Sequence, residues 1–505
     1  MFTRRKLISA LPLATLSCAR GPRPNILFAI ADDMSFPHAG AYGDKIARTP
    51  AFDRIAREGV LFTNSFCASP SCTPSRSAVL TGRHVWQLEE AGLLYGTIPP
   101  KFPLFTHMLE DSGYHVGFTG KGWGPGDWKA AGLKRNPTGK PYNRRTHAVT
   151  PREGINPNDY AANFEDFLKD RPANSPFFFW FGSTEPHRVY AKGAGVGAGH
   201  RLEEVRVPAY WPDTPEIRAD ILDYYAEVEW FDTQLARVRE ALEKTGEIDN
   251  TLIIVTSDNG MPFPRAKVNL YDAGVHMPLA MRWPKRIRPN SKVRDFVEHT
   301  DLAPTMLEAA GLQPRSGMAG HSLLGLEGRD QAFTAFERHV MARPDGLGYP
   351  MRALRTKEFL YIRNFAPDRW PTGGPFLSSN KTQHGDVDGA PIKDFMTDPV
   401  NQQTYAGPYQ LCFGKRPPEE LYDLARDPEQ VEDLATDTRF QSHLQRLRNQ
   451  LEAYLRETQD PRMEGKDPWK DYPYRQATGY GASFNTGFSK EVRRKAREGA
   501  THKPE

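Results

Sequence analysis

Cysteine is scarce in this chain of 505 residues, which contains only Cys18, Cys67, Cys72 and Cys412. So few cysteines provide no disulfide framework. A chain of this length does not need one, because it can bury a large hydrophobic core. We expect Cys67 and Cys412 to be buried free thiols, and a single bridge between these two residues is the alternative.

A strong charge imbalance is also missing. The chain has 66 lysine and arginine residues against 62 aspartate and glutamate residues, which gives a formal net charge of +4. This excess is too small to indicate nucleic-acid binding, although a local basic cleft could still attract an anionic substrate. With 39% hydrophobic and 25% charged residues, the composition is that of an ordinary globular protein. The length allows two or three domains.

Long apolar runs are absent as well, so no segment is predicted to be a permanent membrane helix. Residues 1–22 have the features of an export signal, because a basic start precedes a short apolar run. The order Thr-Arg-Arg-x-Leu-Ile from Thr3 to Ile8 is similar to a twin-arginine signal, with ordinary secretion as the alternative. A lipid anchor at Cys18 is left open, because the preceding residues form a poor lipoprotein box. We therefore expect an exported protein, periplasmic or extracellular.

Four short runs of consecutive apolar residues predict strands that are buried on both faces, as in a parallel sheet. Amphipathic helical patterns lie between the runs, the longest from about Arg218 to Lys244. Strands that alternate with helices indicate an α/β sheet. The four runs are Asn25–Ala31, His115–Thr119, Pro176–Phe181 and Thr251–Thr256.

Polar residues follow each of these runs. Ligands of an α/β sheet bind beyond the carboxyl ends of its strands, so the polar segments could converge on one site. The sequence therefore predicts the functional site at this edge of the sheet. The segments are Asp32-Asp33, Gly120 to Trp123, Glu185 to Arg188 and Ser257 to Gly260.

The pattern changes after about residue 345. Short strands and a helix near Phe440 to Thr458 predict a smaller α+β domain over 346–460, after a larger α/β domain over 23–345. The remainder, 461–505, is rich in Gly, Lys, Pro and Tyr and is predicted to be irregular. The predicted strands of the smaller domain are Tyr349–Arg355, Glu358–Arg363 and Glu420–Leu424.

Two of the polar segments offer oxygen ligands for a metal. Asp32, Asp33, Asp258 and Asn259 present carboxylate and amide oxygens. Such ligands suit Ca²⁺ or Mg²⁺ better than zinc. A single Asp-Asp pair is common in helix caps and turns, but a second pair at another strand end favours a cation site.

The most informative segment runs from Cys72 to Arg83 and reads Cys-Thr-Pro-Ser-Arg-Ser-Ala-Val-Leu-Thr-Gly-Arg. A cysteine precedes a Pro-Ser-Arg turn and a predicted helix that ends in Thr81-Gly82-Arg83. This segment resembles the C-x-P-S-R-x-x-x-L-T-G-R signature of the type I sulfatases. The resemblance covers nearly the whole mature chain. It implies an alkaline-phosphatase-like α/β sandwich with a large, mostly parallel sheet flanked by helices, plus a smaller C-terminal α+β domain.

The resemblance also implies a modified nucleophile and a metal ion. In this family a formylglycine-generating enzyme oxidises the cysteine, here Cys72, to formylglycine, and the hydrated aldehyde attacks sulfur. A sulfate ester stays on the enzyme until the second hydroxyl expels sulfate, which divides one hard step into two. A Ca²⁺ ion would polarise a sulfate oxygen. Its ligands would be the modified Cys72 with Asp32, Asp33, Asp258 and Asn259.

Further residues receive roles from the same resemblance. Arg76 would stabilise the hydrate, and Lys121 and Lys267 would contact the sulfate. His187 in Glu-Pro-His-Arg would give a proton to the leaving group. The chain departs from the family at Gly120 to Trp123, where the usual Gly-Lys-x-His reads Gly-Lys-Gly-Trp. Another group would then have to deprotonate the hydrate, or the activity is altered.

Some segments are closer to one branch, the heparan N-sulfatases (N-sulfoglucosamine sulfohydrolase, or sulfamidase). These are above all Pro262-Phe-Pro264 and Tyr349-Pro-Met-Arg352. That branch implies cleavage of the S–N bond of N-sulfoglucosamine at a chain end. Three alternatives stay open: an O-sulfatase on another sulfated sugar, a phosphate or phosphonate monoester hydrolase of the same superfamily, and an inactive glycan-binding lipoprotein. The expected partners are a sulfated saccharide and the formylglycine-generating enzyme, and the family allows a homodimer.

Overall fold

The computed structural model describes residues 23–325, 328–375 and 383–475. The predicted export signal, Cys18 and the part of the predicted tail beyond residue 475 lie outside the described residues. No helix in the described part is long and apolar enough to cross a membrane. Export and a lipid anchor at Cys18 stay predictions.

The described chain alternates strands and helices over most of its first half. Its strands are β1 (Asn25–Ala31), β2 (Val60–Phe66), β3 (His115–Gly120), β4 (Lys140–Pro141), β5 (Phe177–Gly182), β6 (Thr251–Ser257), β7 (His276–Arg282), β8 (Ser291–Val293), β9 (Val297–Glu298), β10 (Gln331–Phe336), β11 (Met351–Thr356), β12 (Phe359–Asn364) and β13 (Glu419–Asp423). Its helices are α1 (Pro50–Glu58), α2 (Cys72–Thr81), α3 (Phe105–Asp111), α4 (Tyr160–Asp170), α5 (Ala194–Gly197), α6 (Pro215–Lys244), α7 (Asp272–Val275), α8 (Leu302–Ala309), α9 (Pro391–Thr397), α10 (Pro399–Thr404), α11 (Ala406–Phe413) and α12 (Gln441–Glu457).

The large sheet has nine strands in the order β4-β3-β5-β1-β6-β7-β2-β8, and β9 also pairs with β2. Its centre, β3-β5-β1-β6, is parallel and consists of the four strands predicted from apolar runs. Ile30 lies opposite both Gly182 and Thr256, so the carboxyl ends of β5, β1 and β6 are level. β7 runs antiparallel to both β6 and β2. The sheet is therefore mostly parallel, and the predicted fold class is confirmed.

The central strands are buried on both faces, as their apolar runs predicted. In β1, Ile26, Phe28 and Ile30 pack into the hydrophobic cluster on one face of the sheet. The alternate residues Leu27 and Ala29 pack into the cluster on the other face. Each run must be continuously apolar because side chains alternate between two buried faces.

Helix α6 supplies much of the second cluster. It begins at Pro215, after Thr214, whose hydroxyl accepts a hydrogen bond from the backbone N–H of Ile217. A proline at the first helical position costs no hydrogen bond, because a backbone N–H at this position would have no partner within the helix. Apolar residues three or four positions apart form the inner face of α6, and all are buried: Leu222, Tyr225, Val228, Phe231, Leu235, Val238 and Leu242.

A second, antiparallel sheet has the order β10-β11-β12-β13. Helix α12 covers it with Leu444, Leu447, Leu451 and Leu455, which are buried and spaced three or four residues apart. Strand β10 begins at Gln331, before the predicted boundary at 345/346, and pairs with β11. The smaller sheet thus takes one strand from the segment assigned to the larger domain, and the division into domains stays a prediction.

The cysteines described in the structure are free thiols, Cys67, Cys72 and Cys412. Cys67 Sγ lies 3.2 Å from Ser69 O, and Cys412 Sγ lies 3.3 Å from Tyr210 O. The expectation of two buried free thiols is confirmed, and the alternative bridge between them is not formed.

Candidate active site

The carboxyl ends of β1 and β6 bring two acidic segments together. The backbone N–H of Asp258 donates to Ala31 O at 3.1 Å. The N–H of Asp33 donates to Asp258 Oδ1, also at 3.1 Å. Asp33 has a φ of 74°, a left-handed conformation that is uncommon for a residue other than glycine and that persists only where its surroundings hold it. Asp32, Asp33 and Asp258 are 2%, 0% and 0% exposed.

Cys72 is the first residue of helix α2, every residue of which is buried. Its Sγ lies 3.6 Å from Asp32 Oδ1. The open N–H groups and the dipole of a helix N-terminus favour negative charge at this position. The helix ends at Thr81, and the following Gly82 has a φ of 64°, a left-handed cap that glycine adopts without strain. The Thr-Gly of the motif therefore ends the helix that positions residue 72.

Arg76 joins α2 to the strand ends. Its Nε donates to Asp258 Oδ2 at 2.7 Å, and its Nη1 donates to the carbonyl oxygens of Lys121 and Gly122, both at 2.9 Å. Its Nη2 lies 3.6 Å from Asp32 Oδ1 and has no hydrogen-bond partner in the described part of the chain. This buried nitrogen is a spare cationic donor beside Asp32.

Two buried lysines face the aspartates. Lys121 Nζ donates to the two carboxylate oxygens of Asp32 at 2.7 and 2.6 Å. Lys267 Nζ donates to Asp33 Oδ2 at 2.7 Å. Burial lowers the pKa of each lysine. The neighbouring negative groups together, led by Asp32 for Lys121 and by Asp33 for Lys267, more than offset burial, so both pKa values lie above the ordinary range. Both side chains are therefore charged at neutral pH.

His187 lies on the outer side of this cluster. Its Nδ1 is 2.6 Å from Arg188 O. Because a carbonyl oxygen only accepts, we infer that Nδ1 carries the hydrogen and that Nε2 is free to exchange a proton with a ligand. Nε2 lies 3.7 Å from Asp33 Oδ2, and the His187 side chain is 34% exposed against 0% for Asp33. His187 therefore forms part of the solvent-facing wall.

The donor set fits a hard divalent cation. Asp32, Asp33 and Cys72 each place a ligand atom within 4.8 Å of the other two. Asn259 Nδ2 donates to Asp33 Oδ1 at 2.6 Å, whereas its Oδ1 is buried and has no hydrogen-bond partner among the described residues. Burial raises the pKa of Asp258 to about 6, although Arg76 opposes this rise. A cation would satisfy the orphaned acceptor and favour the ionised carboxylate.

The thiol of Cys72 is not a nucleophile as it stands. Burial raises its pKa far above the ordinary value, and the charge of Lys121 does not offset that rise. Because the thiolate is the reactive form of cysteine, the unmodified side chain stays protonated and inert at neutral pH.

Asp388 belongs to the site and was not predicted from the sequence. It lies before α9, in the region assigned to the smaller domain, and accepts a hydrogen bond from Lys267 Nζ at 3.1 Å. One oxygen of Asp388 lies within 4.8 Å of ligand atoms of Asp33 and His187. The sequence had no signal for it, since Asp388 follows no predicted strand and belongs to no recognised motif.

His339 was missed for the same reason. It follows β10, and its Nδ1 lies 2.8 Å from the hydroxyl of Ser71, the residue before Cys72. Burial lowers the pKa of His339 to about 4. The ring is therefore neutral at physiological pH and ties the smaller sheet to the start of α2.

Trp123 occupies the position where the family pattern has a histidine. Its Nε1 donates to Ser77 Oγ at 2.8 Å, so the ring braces α2. The nearest histidines in sequence make contacts elsewhere. His107 Nε2 lies 3.1 Å from the carbonyl oxygen of Asn136, and the His115 ring stacks on the ring of Phe167. No histidine of the segment from 107 to 123, all of which is described, thus replaces the expected one.

The segments that favour the N-sulfatase branch have structural roles. Arg352 is fully buried and pairs with Glu337 at 2.7 Å and Asp460 at 2.6 Å. Pro262 O accepts a hydrogen bond from Arg188 Nε at 3.0 Å. Both contacts are internal to the fold, so the two segments indicate kinship and do not themselves identify a substrate.

Comparison with known proteins gives consistent results. A family model described as "Sulfatase" matches residues 24–312, more than half of the chain. An ulvan-active sulfatase of Formosa agariphila is 30% identical over 415 residues, which cover 77% of each chain. Human N-sulphoglucosamine sulphohydrolase is 29% identical over 494 residues, which cover 90% of this chain and 93% of the human protein.

A solved structure matches as well. A protein in complex with its substrate D-glucosamine-2-N,6-O-disulfate aligns with a TM-score of 0.61 and 20% sequence identity. The alignment covers 89% of this chain and 100% of the other. At this identity the likeness shows the fold alone.

Proposed function

This chain belongs to the sulfatase family, and from that premise we propose that it releases sulfate from N-sulfoglucosamine at the end of a heparan-type or heparin-type saccharide. The observation that carries the proposal is that Cys72, the oxygen ligands and three buried cationic side chains lie together at one edge of the sheet. The choice of substrate is supported by the similarity to human N-sulphoglucosamine sulphohydrolase along nearly the whole of both chains.

Sulfatases use a divalent metal, and here we assign it as Ca²⁺ because the ligands are oxygens. Asp32, Asp33, Asp258 and Asn259 would hold it together with the modified residue 72. When bound, the cation supplies Lewis-acid polarisation of a sulfate oxygen. The ligands are already held in place without it, since Lys121 and Lys267 donate to two of the carboxylates and Arg76 to the third.

Sulfatases also use formylglycine, and Cys72 is the residue that a generating enzyme would convert. The hydrated aldehyde supplies a hydroxyl nucleophile at neutral pH, which the buried thiol does not. The N-terminus of α2 stabilises negative charge at this residue. Export of the protein, by the twin-arginine route or by ordinary secretion, is part of the proposal, and a homodimer stays a prediction.

The charges of the site favour an anionic substrate. Three carboxylates face the three cationic side chains of Arg76, Lys121 and Lys267, so a bound divalent cation leaves this set with a net positive charge. Arg76 offers the unused Nη2. These fixed donors would hold the sulfuryl oxygens where negative charge develops, without reorganising during the reaction.

His187 would protonate the leaving group. Its Nδ1–H donates a hydrogen bond to Arg188 O. Nε2 is therefore the nitrogen that carries and transfers the proton. The amide-like nitrogen of a sulfamate is a poor leaving group until it is protonated. A general acid at the open side of the site is therefore what S–N cleavage requires.

The test is a panel of substrates given to the protein produced together with a formylglycine-generating enzyme. We expect free sulfate from N-sulfoglucosamine, and none from the Cys72→Ala variant prepared in the same way. Turnover of glucosamine 6-sulfate without turnover of N-sulfoglucosamine would contradict the proposed substrate.

A second candidate is hydrolysis of a sulfate ester on another polysaccharide. It is favoured by the ulvan-active relative, which matches at the same level of identity as the human sulfamidase. Adding desulfation of ulvan oligosaccharides to the same panel separates the two candidates. Faster turnover of ulvan than of N-sulfoglucosamine would favour the second.

A further inference from the structure

Asp388 lies at the mouth of the site. Lys267 Nζ bridges two carboxylates, Asp33 at 2.7 Å and Asp388 at 3.1 Å. The side chains of Asp33 and Lys267 are 0% and 4% exposed, whereas those of Asp388 and His187 are 28% and 34% exposed. Asp388 and His187 are thus the two groups of this cluster that face solvent, and their polar atoms lie within 4.8 Å of one another.

The loop that carries Asp388 is held rigidly. Asp386 accepts hydrogen bonds from the Val340 N–H at 3.0 Å and from Arg343 Nη2 at 2.7 Å. Lys393 Nζ donates to Val387 O at 2.7 Å. The backbone before Asp388 is therefore tied both to the segment after β10 and to α9. A fixed carboxylate costs little conformational entropy when it binds a ligand.

Asp388 does not belong to a second metal site. The ammonium group of Lys267 already lies between its carboxylate and that of Asp33, and a further cation there would be repelled. Asp388 lies beside His187 on the solvent-facing side of the site. This is the side where the leaving group that His187 protonates would lie.

The leaving group of a sulfamate has a charge that this carboxylate can recognise. When the S–N bond breaks, its electron pair stays on nitrogen, which leaves as an amine after taking one proton from His187. The nitrogen protonated by His187 therefore carries positive charge in the transition state, and the free amine then takes a second proton from solvent and becomes an ammonium ion. A hydrogen bond from an ammonium to a carboxylate is charge-assisted and stronger than one from a neutral hydroxyl. An O-sulfate leaves only a neutral alcohol.

On the basis of the proposed function, we propose that Asp388 binds the amino group of the departing glucosamine. Asp388 would in this way select N-sulfated over O-sulfated sugars. Lys267 neutralises Asp388 on its inner side, so that it does not repel the incoming anion. Lys267 donates to Oδ2 of Asp388. We assign the amino group to Oδ1, to which no described residue donates a hydrogen bond.

The first test compares Asp388→Asn with Asp394→Asn, the same chemical change at an exposed position on α9. The loss in kcat/KM of Asp388→Asn should be about tenfold larger for N-sulfoglucosamine than for 4-nitrophenyl sulfate, whose leaving group has no amine. Asp394→Asn should match the wild type on both substrates. Equal losses on both substrates for Asp388→Asn would overturn the proposal, because they would mean that Asp388 only supports Lys267.

The second test does not depend on turnover. Binding of D-glucosamine and D-glucose is measured by isothermal titration calorimetry. The wild type should bind glucosamine about tenfold more tightly, and Asp388→Asn should lose that preference. No preference in the wild type, or one that survives in Asp388→Asn, would overturn the role of Asp388. Absence of sulfate release from N-sulfoglucosamine by the wild type would instead overturn the proposed substrate, so the two failures are distinguishable.

Discussion

The floor of the site and its rim are built differently. The floor consists of Asp32, Asp33, Cys72, Asp258 and Asn259, which are between 0% and 3% exposed. The rim consists of His187 and Asp388, whose side chains are 34% and 28% exposed. The floor rests on the ends of two central strands and on a buried helix, whereas the rim lies on loops. The floor can serve any sulfuryl transfer, and substrate choice must lie at the rim.

The largest effect should come from removing the nucleophile at the floor. Cys72→Ala is expected to lower kcat by at least about 10⁴-fold on every substrate, since no other nucleophile replaces it. The melting temperature should change little, because only the aldehyde oxygen of the mature residue is lost. Residual turnover above one per cent of the wild type would show that residue 72 is not the nucleophile.

Asp258→Asn tests the floor as a cation site. We expect a loss of about 10³-fold in kcat, because the metal loses a charged ligand next to Arg76. Calcium at 100 times its Kd should stabilise the wild type by about 2.7 kcal/mol, and thermal melts with calcium or with a chelator measure this effect. The variant should show a much smaller shift. An equal shift in both proteins would place the calcium elsewhere.

The floor was predictable from the sequence and the rim only in part. Asp32-Asp33 and Asp258-Asn259 follow apolar runs directly, and strands that are buried on both faces leave their ends at one edge of the sheet. Cys72 and Arg76 carry a recognisable motif. Asp388 comes from a loop more than a hundred residues beyond β6. Its position depends on how the smaller sheet packs, which no local pattern encodes.

The same limit applies to parts of the fold. Strands β7 and β2 were not predicted, although they complete the large sheet. Strand β10 joins the smaller sheet from before the predicted boundary. Pairing between segments far apart in sequence is decided by tertiary packing, whereas helix α6 is evident from its own periodicity.

His187→Asn tests the rim by comparing leaving groups. With N-sulfoglucosamine the loss in kcat should be about 10²-fold, because the nitrogen must be protonated. With 4-nitrophenyl sulfate the loss should be much smaller, since nitrophenolate leaves without a proton. Steady-state kinetics on both substrates measures the two losses in kcat. Similar losses would assign His187 to sulfate binding and not to proton transfer.

Glu227 on α6 offers a buried carboxylate for comparison with the floor. Its Oε2 has no hydrogen-bond partner among the described residues. Burial raises its pKa to about 8, although Arg152 opposes this rise. A raised folded-state pKa means that stability is lost as pH rises from the unfolded value of 4.5 towards about 8.

The smallest effect should therefore come from Glu227→Gln. Its melting temperature should exceed that of the wild type by a few degrees at pH 8 and hardly at all at pH 4.5. A pH series of thermal melts measures the difference. An equal shift at both pH values would show that the neutral and charged forms of Glu227 are equally stable in the fold.

The most direct measurement is a crystal structure of the mature protein grown with calcium. It should show a hydrated aldehyde at residue 72 and an ion bound by Asp32, Asp33, Asp258 and Asn259. An unmodified thiol in protein that hydrolyses sulfate, or an active enzyme with no ion between these oxygens, would contradict the assignment of the floor.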